Sequence, residues 1–167
     1  MKKVQFAKFL FVFLFCAVFV MGANAQNTFN KGDKVVNAGI GLGNTFGGYS
    51  SMIPISASFE MGIKDKLFDD KSSLGVGAYM GVGFTNGWTF LFPGVRGALH
   101  YQFVDKLDTY AGLMVGIRMY SGHGWSHTDL IVPFYIGGRY YFKKNLAGFA
   151  ELGHGIAYLQ VGVALKL

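Results

Sequence analysis

From residue 34 onward, the chain alternates between apolar and polar or small residues with a period of two. One run reads Ser73-Leu74-Gly75-Val76-Gly77-Ala78-Tyr79-Met80, with the apolar side chains at the even positions. A period of two is that of a β-strand whose two faces meet different surroundings. The alternation therefore predicts an all-β protein. Eight segments follow the pattern: 35–42, 53–63, 73–84, 89–102, 109–119, 130–142, 146–152 and 156–167.

The composition indicates that one face of these strands contacts lipid and not water. Hydrophobic residues make up 51% of the chain and charged residues only 14%, which is a low charge for a water-soluble domain. No apolar run after residue 25 approaches the about 18 residues of a membrane helix, whereas the longer segments offer the roughly 9–11 residues with which a tilted strand crosses a bilayer. An open sheet edge is not tolerated in hydrocarbon. The prediction is an eight-stranded antiparallel up-and-down transmembrane β-barrel, apolar outside and polar inside.

The first 25 residues have the organisation of a secretory signal peptide. Three lysines precede an apolar stretch from residue 9 to residue 21, and Ala23-Asn24-Ala25 supplies the small residues of a cleavage site. A membrane helix is the alternative, but an apolar stretch of about 13 residues is shorter than the roughly 20 that span a bilayer. We therefore divide the chain into a signal peptide (1–25), a lead-in (26–34) and a barrel (35–167).

Cleavage of this leader would change the cysteine content and the net charge. It would remove the single cysteine, Cys16, together with three lysines and no acidic residue, so that the net charge would fall from +6 to +3. The remaining basic residues are scattered along the chain, and nucleic-acid binding therefore has no support.

The connections between the segments are of two alternating kinds. Residues 64–72, 104–108 and 143–145 are charged and mostly short, whereas the other connections are rich in Gly, Ser, His and aromatic residues. In outer-membrane barrels the turns on the periplasmic side are short. We therefore predict that the charged connections and the lead-in face the periplasm, and that residues 43–52, 85–88, 120–129 and 153–155 form the outer loops.

Within the segments, the charged residues occupy the positions that alternate with the apolar ones, and these positions face inward in the predicted barrel. All three arginines and both glutamates after residue 25 do so. The interior of an eight-stranded barrel is only wide enough for side chains to fill it, and buried charges need partners. We therefore predict a closed interior in which Glu60 pairs with Arg96 and Glu151 with Arg118. The predicted network comprises Glu60, Arg96, His100, Arg118, Arg139 and Glu151, with Tyr79, Met114, Tyr135, Tyr141, Tyr158 and Gln160 on the same face.

The predicted leader, the eight alternating segments and the final strand 157–167 together resemble the small outer-membrane barrels of the OmpX and OmpA type, including those of Bacteroidetes. The last residue is Leu167, where many such proteins have Phe. The resemblance implies a monomeric, multi-pass protein of the cell outer membrane without a cofactor, in contact with outer-membrane lipids and lipopolysaccharide, and inserted by the barrel-insertion machinery. It implies a non-enzymatic role in envelope integrity, or in presenting short loops for adhesion to an unknown surface ligand. A narrow passive channel is the alternative.

Two further kinds of site are considered in the outer loops. His123, His127 and Asp129, with His154 from another loop, are weak candidates for a metal site, because imidazole and carboxylate are zinc ligands; solvated loop residues are the favoured interpretation. Eight-stranded barrels also include a lipid A deacylase and a lipid A palmitoyltransferase. The deacylase has a His-x-Ser-Asn setting, which Ser126 and its neighbours do not match, so we expect no catalytic residues.

Overall fold

The computed structural model describes residues 28–46 and 52–167, and these residues form nine β-strands. No helix within these two ranges is long and apolar enough to cross a membrane. The predicted signal peptide and the middle of the first predicted outer loop, 47–51, lie outside the described residues. The strands are β1 (Lys34–Asn44), β2 (Ile55–Asp65), β3 (Ser72–Thr85), β4 (Trp88–Val104), β5 (Leu107–Gly122), β6 (Trp125–Ile131), β7 (Phe134–Lys143), β8 (Leu146–Gly153) and β9 (Ala157–Lys166).

The strands form one closed antiparallel ring. Neighbours follow the order β4-β3-β2-β1-β9-β8-β7-β5-β6, and the pairing of β4 with β5 closes the ring. The first and last strands pair over most of their length, from Val35 opposite Lys166 to Asn44 opposite Ala157. Such closure leaves few sheet edges exposed. The prediction of an all-β, antiparallel protein is confirmed.

The predicted strand 130–142 is wrong in its extent, because the structure has two strand segments there. β7 pairs with the first half of β5, from Leu107 to Leu113, and β6 pairs with the second half, from Gly116 to Gly122. Between β6 and β7, Pro133 lacks an N–H and interrupts the ladder, although its carbonyl still accepts from the N–H of Met114 at 3.0 Å. β6 begins at Trp125, so the predicted outer loop 120–129 is mostly strand.

The two ends of the ring differ in chemistry. The end that we call the aromatic end carries the turns Asn86-Gly87 and His123-Gly124, in which both residues of each turn have positive φ. Such two-residue turns suit the right-handed twist of the strands they join. The other end, the lysine end, carries the turns 66–71, 105–106 and 144–145, together with residues 28–33 and Leu167.

Burial alternates along the strands in the way that the sequence predicts. On β4, Val95 is 64% exposed, whereas the next residue, Arg96, is 4% exposed. Large apolar side chains therefore cover the outer surface of the ring, and polar ones lie inside. The exposed apolar residues include Ile40, Leu42, Phe59, Met80, Val95, Leu99, Leu113, Val115, Ile117, Ile136, Val163 and Leu165.

Tyr158 was predicted to face inward, and this prediction is wrong. Its side chain is 49% exposed, and its ring packs edge-on against that of His154, with 5.1 Å between the centroids. β9 begins at Ala157, so Tyr158 lies at the end of its strand, where the ring of strands no longer encloses the side chain.

The core lies inside the ring and is layered along its axis. Near the aromatic end, Phe90 and Phe92 belong to a cluster of buried apolar and aromatic side chains. Charged residues follow toward the lysine end, including Arg96 and His100 on the same strand. A second apolar cluster, which contains Phe29, lies beyond them. Charged groups are thus enclosed between two apolar layers.

Candidate functional site

Arg139 is the centre of the buried charged cluster. The residue is fully buried on β7 and donates to three acceptors on three other strands. Its guanidinium donates to the carboxylate of Glu60, to Asp108 Oδ2 at 2.9 Å and to Asn37 Oδ1 at 3.1 Å. The guanidinium carbon also lies 4.5 Å from the centroid of the Tyr110 ring. One side chain therefore ties four strands together across the interior.

His100 bridges the two carboxylates of the same cluster. Its Nδ1 lies 2.8 Å from Asp108 Oδ1, and its Nε2 lies 3.1 Å from Glu60 Oε1. Ionised carboxylates only accept hydrogen bonds, so both ring nitrogens donate when both carboxylates are charged, and the ring is then an imidazolium. The Phe29 ring stacks on this imidazole with 4.1 Å between the centroids and covers the cluster toward the lysine end.

A second buried pair joins Arg96 to Glu151. Arg96 Nη2 donates to Glu151 Oε2 at 2.8 Å, and Nη1 lies 3.4 Å from Oε1, which is the forked geometry that makes such pairs strong. Tyr135 accepts from Arg96 Nε at 3.0 Å, and the Tyr110 hydroxyl donates to Glu151 at 3.1 Å. When His100 is an imidazolium, these buried residues contain three cations and three carboxylates, and their charges balance.

The structure pairs the charges differently from the sequence prediction. Glu60 pairs with Arg139 and not with Arg96, and Glu151 pairs with Arg96 and not with Arg118. The register of β4 and β5 explains why Glu151 does not pair with Arg118: Met114 lies opposite Arg96, and Arg118 lies four residues, about 13 Å, farther along β5. Arg118 therefore lies near the aromatic end, outside the central cluster.

Sequence reasoning missed three members of the charged cluster. The sequence prediction places Asp108 in a turn and Phe29 in the lead-in, and it does not include Asn37. The structure buries all three, with Asp108 1% and Phe29 0% exposed. The inward position of Asp108 could have been read from the sequence. If β5 begins two residues earlier than predicted, the alternation places Asp108 on the same face as the inward residues Tyr110 and Gly112. No such signal exists for Phe29, which precedes the first strand.

Glycines on the inward face leave room for the large side chains of neighbouring strands. A Cβ on Gly137 would lie 2.7 Å from the Tyr110 ring, and a Cβ on Gly112 would lie 2.7 Å from the Tyr135 ring. Small residues thus lie against large ones at the height of the charged cluster, and the interior is packed with side chains as in a protein core.

At the aromatic end, Arg118 forms a partly exposed ion pair. Its Nη2 lies 2.6 Å from Asp129 Oδ2, and the two side chains are 28% and 26% exposed. Nη1 lies 3.4 Å from the carbonyl oxygen of Thr45, and the guanidinium lies 5.6 Å from the Phe46 ring. This pair therefore lies at the aromatic end beside Phe46, which packs against the aromatic rings of Phe90 and Tyr120.

The histidines proposed as metal ligands do not converge. His127 Nε2 lies 3.3 Å from Asp129 Oδ1, but His123 contacts the carbonyl of Asn86 and His154 packs on Tyr158. Among residues 28–46 and 52–167, no three His, Cys, Asp or Glu side chains form a group suited to a metal.

Ser126 and His127 do not form the nucleophile–base pair that a serine hydrolase needs. Ser126 lies opposite Ser121 and His127 lies opposite Tyr120, so the serine and histidine side chains are on opposite faces of β6. A catalytic serine needs the base within hydrogen-bond reach, and this local arrangement does not supply it.

β6 has one unpaired edge. It pairs with β5, and no other strand in the described part of the chain pairs with it. Trp125 and Leu130 are 78% and 68% exposed. An unpaired edge presents backbone N–H and C=O groups to another chain, so this segment is a candidate surface for strand addition.

Comparison with known proteins shows the fold. No protein-family model and no curated protein matches the chain. Among solved structures, a transmembrane β-barrel designed de novo is similar over 83% of this chain and 98% of its own, with 20% identity and a TM-score of 0.56. Ail, the attachment invasion locus protein of Yersinia pestis, in complex with the heparin analogue sucrose octasulfate, is 12% identical over 81% of this chain and 96% of its own, with a TM-score of 0.52. The backbone structure of Ail in a phospholipid bilayer nanodisc gives 10% identity over 82% and 100%, with a TM-score of 0.50.

Proposed function

We propose that the protein is a non-enzymatic outer-membrane barrel that spans the bilayer with eight strands, β6 and β7 acting as one interrupted strand. Two observations support the count. β6 and β7 pair with successive halves of β5, and burial keeps its alternation across the break, with Pro133 and Tyr135 buried and Val132 and Phe134 exposed. The exposed apolar side chains on the outer surface of the ring, such as Val95 and Val115, form what we call the apolar belt. This belt is suited to outer-membrane lipids and lipopolysaccharide, and insertion would use the barrel-insertion machinery.

The proposed orientation places the lysine end in the periplasm and the aromatic end outside the cell. The short charged turns and the lead-in support it, as does the even number of spans, which leaves both chain ends on one side. Cysteine labelling with a membrane-impermeant reagent tests it: on intact cells Ser126→Cys should react, and Asn145→Cys should react only after lysis. The reverse pattern would invert the topology.

We propose that the barrel serves interaction with other surfaces through the unpaired edge of β6, which is the observation that carries this function. An extended segment of a partner could add to this edge by main-chain hydrogen bonds. Ail is an attachment invasion locus protein by name, and its similar fold supports a role of this class. A sulfated glycan is a poorer candidate here, because Arg118 at this end is already paired with Asp129.

Adhesion of cells that display the chain to immobilised extracellular-matrix proteins tests this function. Charged residues on an edge strand discourage strand pairing, so Ser126→Lys combined with Thr128→Lys should reduce adhesion. The matched control combines Ser121→Lys with Met119→Lys, which adds the same charges opposite those positions on β5, whose edges are both paired. Equal loss of adhesion in both variants would contradict the edge mechanism.

A narrow passive channel is the second candidate, and the packed interior argues against it. Arg96, Arg139 and the tyrosines around them fill the cross-section at the height of the charged cluster. The purified protein should show no stable ohmic conductance in planar bilayers, whereas replacing Arg96 and Arg139 together by Ala should open a leak. A steady current through the unmodified protein would establish the channel instead.

A further inference from the structure

The wall of the ring has a gap beside the second edge of β6. β8 ends at Gly153, which lies opposite Tyr135 on β7. Farther toward the aromatic end, β6 pairs with β5, and no other strand in the described part of the chain pairs with its second edge. A cavity of about 610 Å³ lies at this place and is lined by the β6–β7 junction, by Thr45 and by the β8–β9 turn.

The residues that line the cavity belong to both faces of the wall. Arg118, Ile131 and Pro133 are on the inner face, where Ile131 packs against the buried aromatic cluster. Successive residues of a strand point to opposite faces, so a cavity lined from both faces extends from the outer surface through the gap to the inner face. The lining residues of the outer face are apolar and 43–59% exposed: Val132, Phe134, Ile136 and Leu152.

In the bilayer-spanning barrel proposed above, lipid lies at the outer mouth of this cavity, because the outer lining residues are part of the apolar belt. On the outer face of β6, the last apolar residue toward the aromatic end is Leu130, and Thr128 and Ser126 follow it. Arg118 lies opposite Asp129, between Leu130 and Thr128. It is therefore at the level where hydrocarbon gives way to the polar interfacial region, which contains the ester carbonyl groups of lipids.

The Arg118 guanidinium has donors for a further oxygen atom. Nε and Nη2 donate to Asp129 Oδ2 at 3.0 and 2.6 Å, and Nη1 lies 3.4 Å from the carbonyl oxygen of Thr45. These contacts within the described residues use three of the five N–H groups of a guanidinium. Because the charges of Arg118 and Asp129 cancel, a neutral carbonyl oxygen suits this pair better than an anion does.

We propose that the gap binds one acyl chain of a lipid from the bilayer leaflet at the aromatic end, with the chain against Val132, Phe134 and Leu152 and its ester carbonyl accepting from Arg118. The volume of the cavity is within the range of about 300–1,000 Å³ that small-molecule sites have. In the proposed orientation this leaflet is the outer one. The inference rests on the bilayer-spanning barrel proposed above and not on adhesion through β6.

Nuclear Overhauser contacts between lipid chains and protein methyl groups test the site. The protein is deuterated except at its methyl groups and is inserted in nanodiscs of protonated phosphatidylcholine. Contacts are expected at the outward methyl groups of Leu42 and at the inward methyl groups of Ile131, but not at Met114, which is inward and 1% exposed. Contacts at neither Leu42 nor Ile131 would contradict the bilayer-spanning barrel, whereas contacts at Leu42 without Ile131 would overturn this inference alone.

Filling the outer mouth of the cavity should remove the contacts at Ile131. Leu152→Trp places a large ring there, and Val132→Trp does so from the β6 side if Leu152→Trp fails to fold. The matched control is Leu42→Trp, because Leu42 and Leu152 both lie opposite Leu159, are 53% and 52% exposed, and differ in that Leu42 does not line the cavity. Equal loss of the Ile131 contacts in the Leu152 and Leu42 variants would overturn the site.

An ether-linked phosphatidylcholine tests the contact with Arg118, because its chains are joined to glycerol without a carbonyl group. The contacts at Ile131 should be weaker with this lipid than with the ester-linked one, whereas those at Leu42 should be equal for both. Equal contacts at Ile131 with the two lipids would overturn the part of the proposal in which Arg118 holds the carbonyl oxygen.

Discussion

Replacing Arg139 by Met is expected to destabilise the barrel strongly. The substitution removes the guanidinium that contacts Glu60, Asp108 and Asn37. It leaves two fully buried carboxylates with the His100 ring as the partner that they share. Removing one partner of a buried ion pair costs about 3–5 kcal/mol, because the other charge stays buried without compensation. Replacing Glu60 by Gln and Asp108 by Asn in the same protein removes those charges, so the triple variant should be more stable than Arg139→Met alone.

The assay is equilibrium unfolding by denaturant of the protein inserted in lipid bilayers, with the free energy of unfolding from linear extrapolation. Arg118→Met is the matched control: its pair with Asp129 is partly exposed, and such pairs contribute about 0.2–1 kcal/mol. A cycle of Arg139→Met and Glu60→Gln should show a coupling energy of about 1–3 kcal/mol. Additive single effects, or equal losses for Arg139→Met and Arg118→Met, would refute the reasoning.

Three further outcomes are expected. Val115→Arg places a charge on the apolar belt and should lower the free energy of unfolding in bilayers by about 2–4 kcal/mol; no loss would mean that the inward and outward faces are exchanged. Gly112→Ala should cost about 1–3 kcal/mol, because its Cβ would meet the carbonyl oxygen of Gly97 on the neighbouring strand at 2.2 Å. Gly138→Ala should be neutral in the same assay, because the nearest atom to its Cβ would lie at 3.6 Å, which is ordinary van der Waals contact. The Tyr101 hydroxyl donates to Asp69 at 2.9 Å and holds the pKa of Asp69 below its ordinary 3.8; this contact therefore stabilises the turn above pH 3.8 and is lost as the pH falls through the lowered pKa. Tyr101→Phe should raise the pKa in a carboxyl NMR titration, and an unchanged value would refute the role of this hydrogen bond.

The sequence determined which residues face outward and which face inward. Alternation is a local property: once a segment is a strand, successive side chains must point to opposite faces. For this reason the inward positions of Glu60, Arg96, Arg139 and Glu151 could be predicted without knowing which strands are neighbours. Alternation does not locate the ends of a strand, and the predicted start of β5 at residue 109 therefore leaves Asp108 in a turn, whereas the strand begins at Leu107.

Which charges meet depends on the closure of the ring and not on the alternation. Glu60 and Arg139 are 79 residues apart in sequence, and they pair because closure of the ring and the stagger of its strands bring them to the same level along the axis of the ring. The alternation along a strand shows which face a residue is on but not its level along this axis, so the predicted partners, Arg96 and Arg118, were wrong. The burial of Phe29 has the same origin, since a residue before the first strand has no parity and its place is decided by the space that the closed ring leaves open above His100.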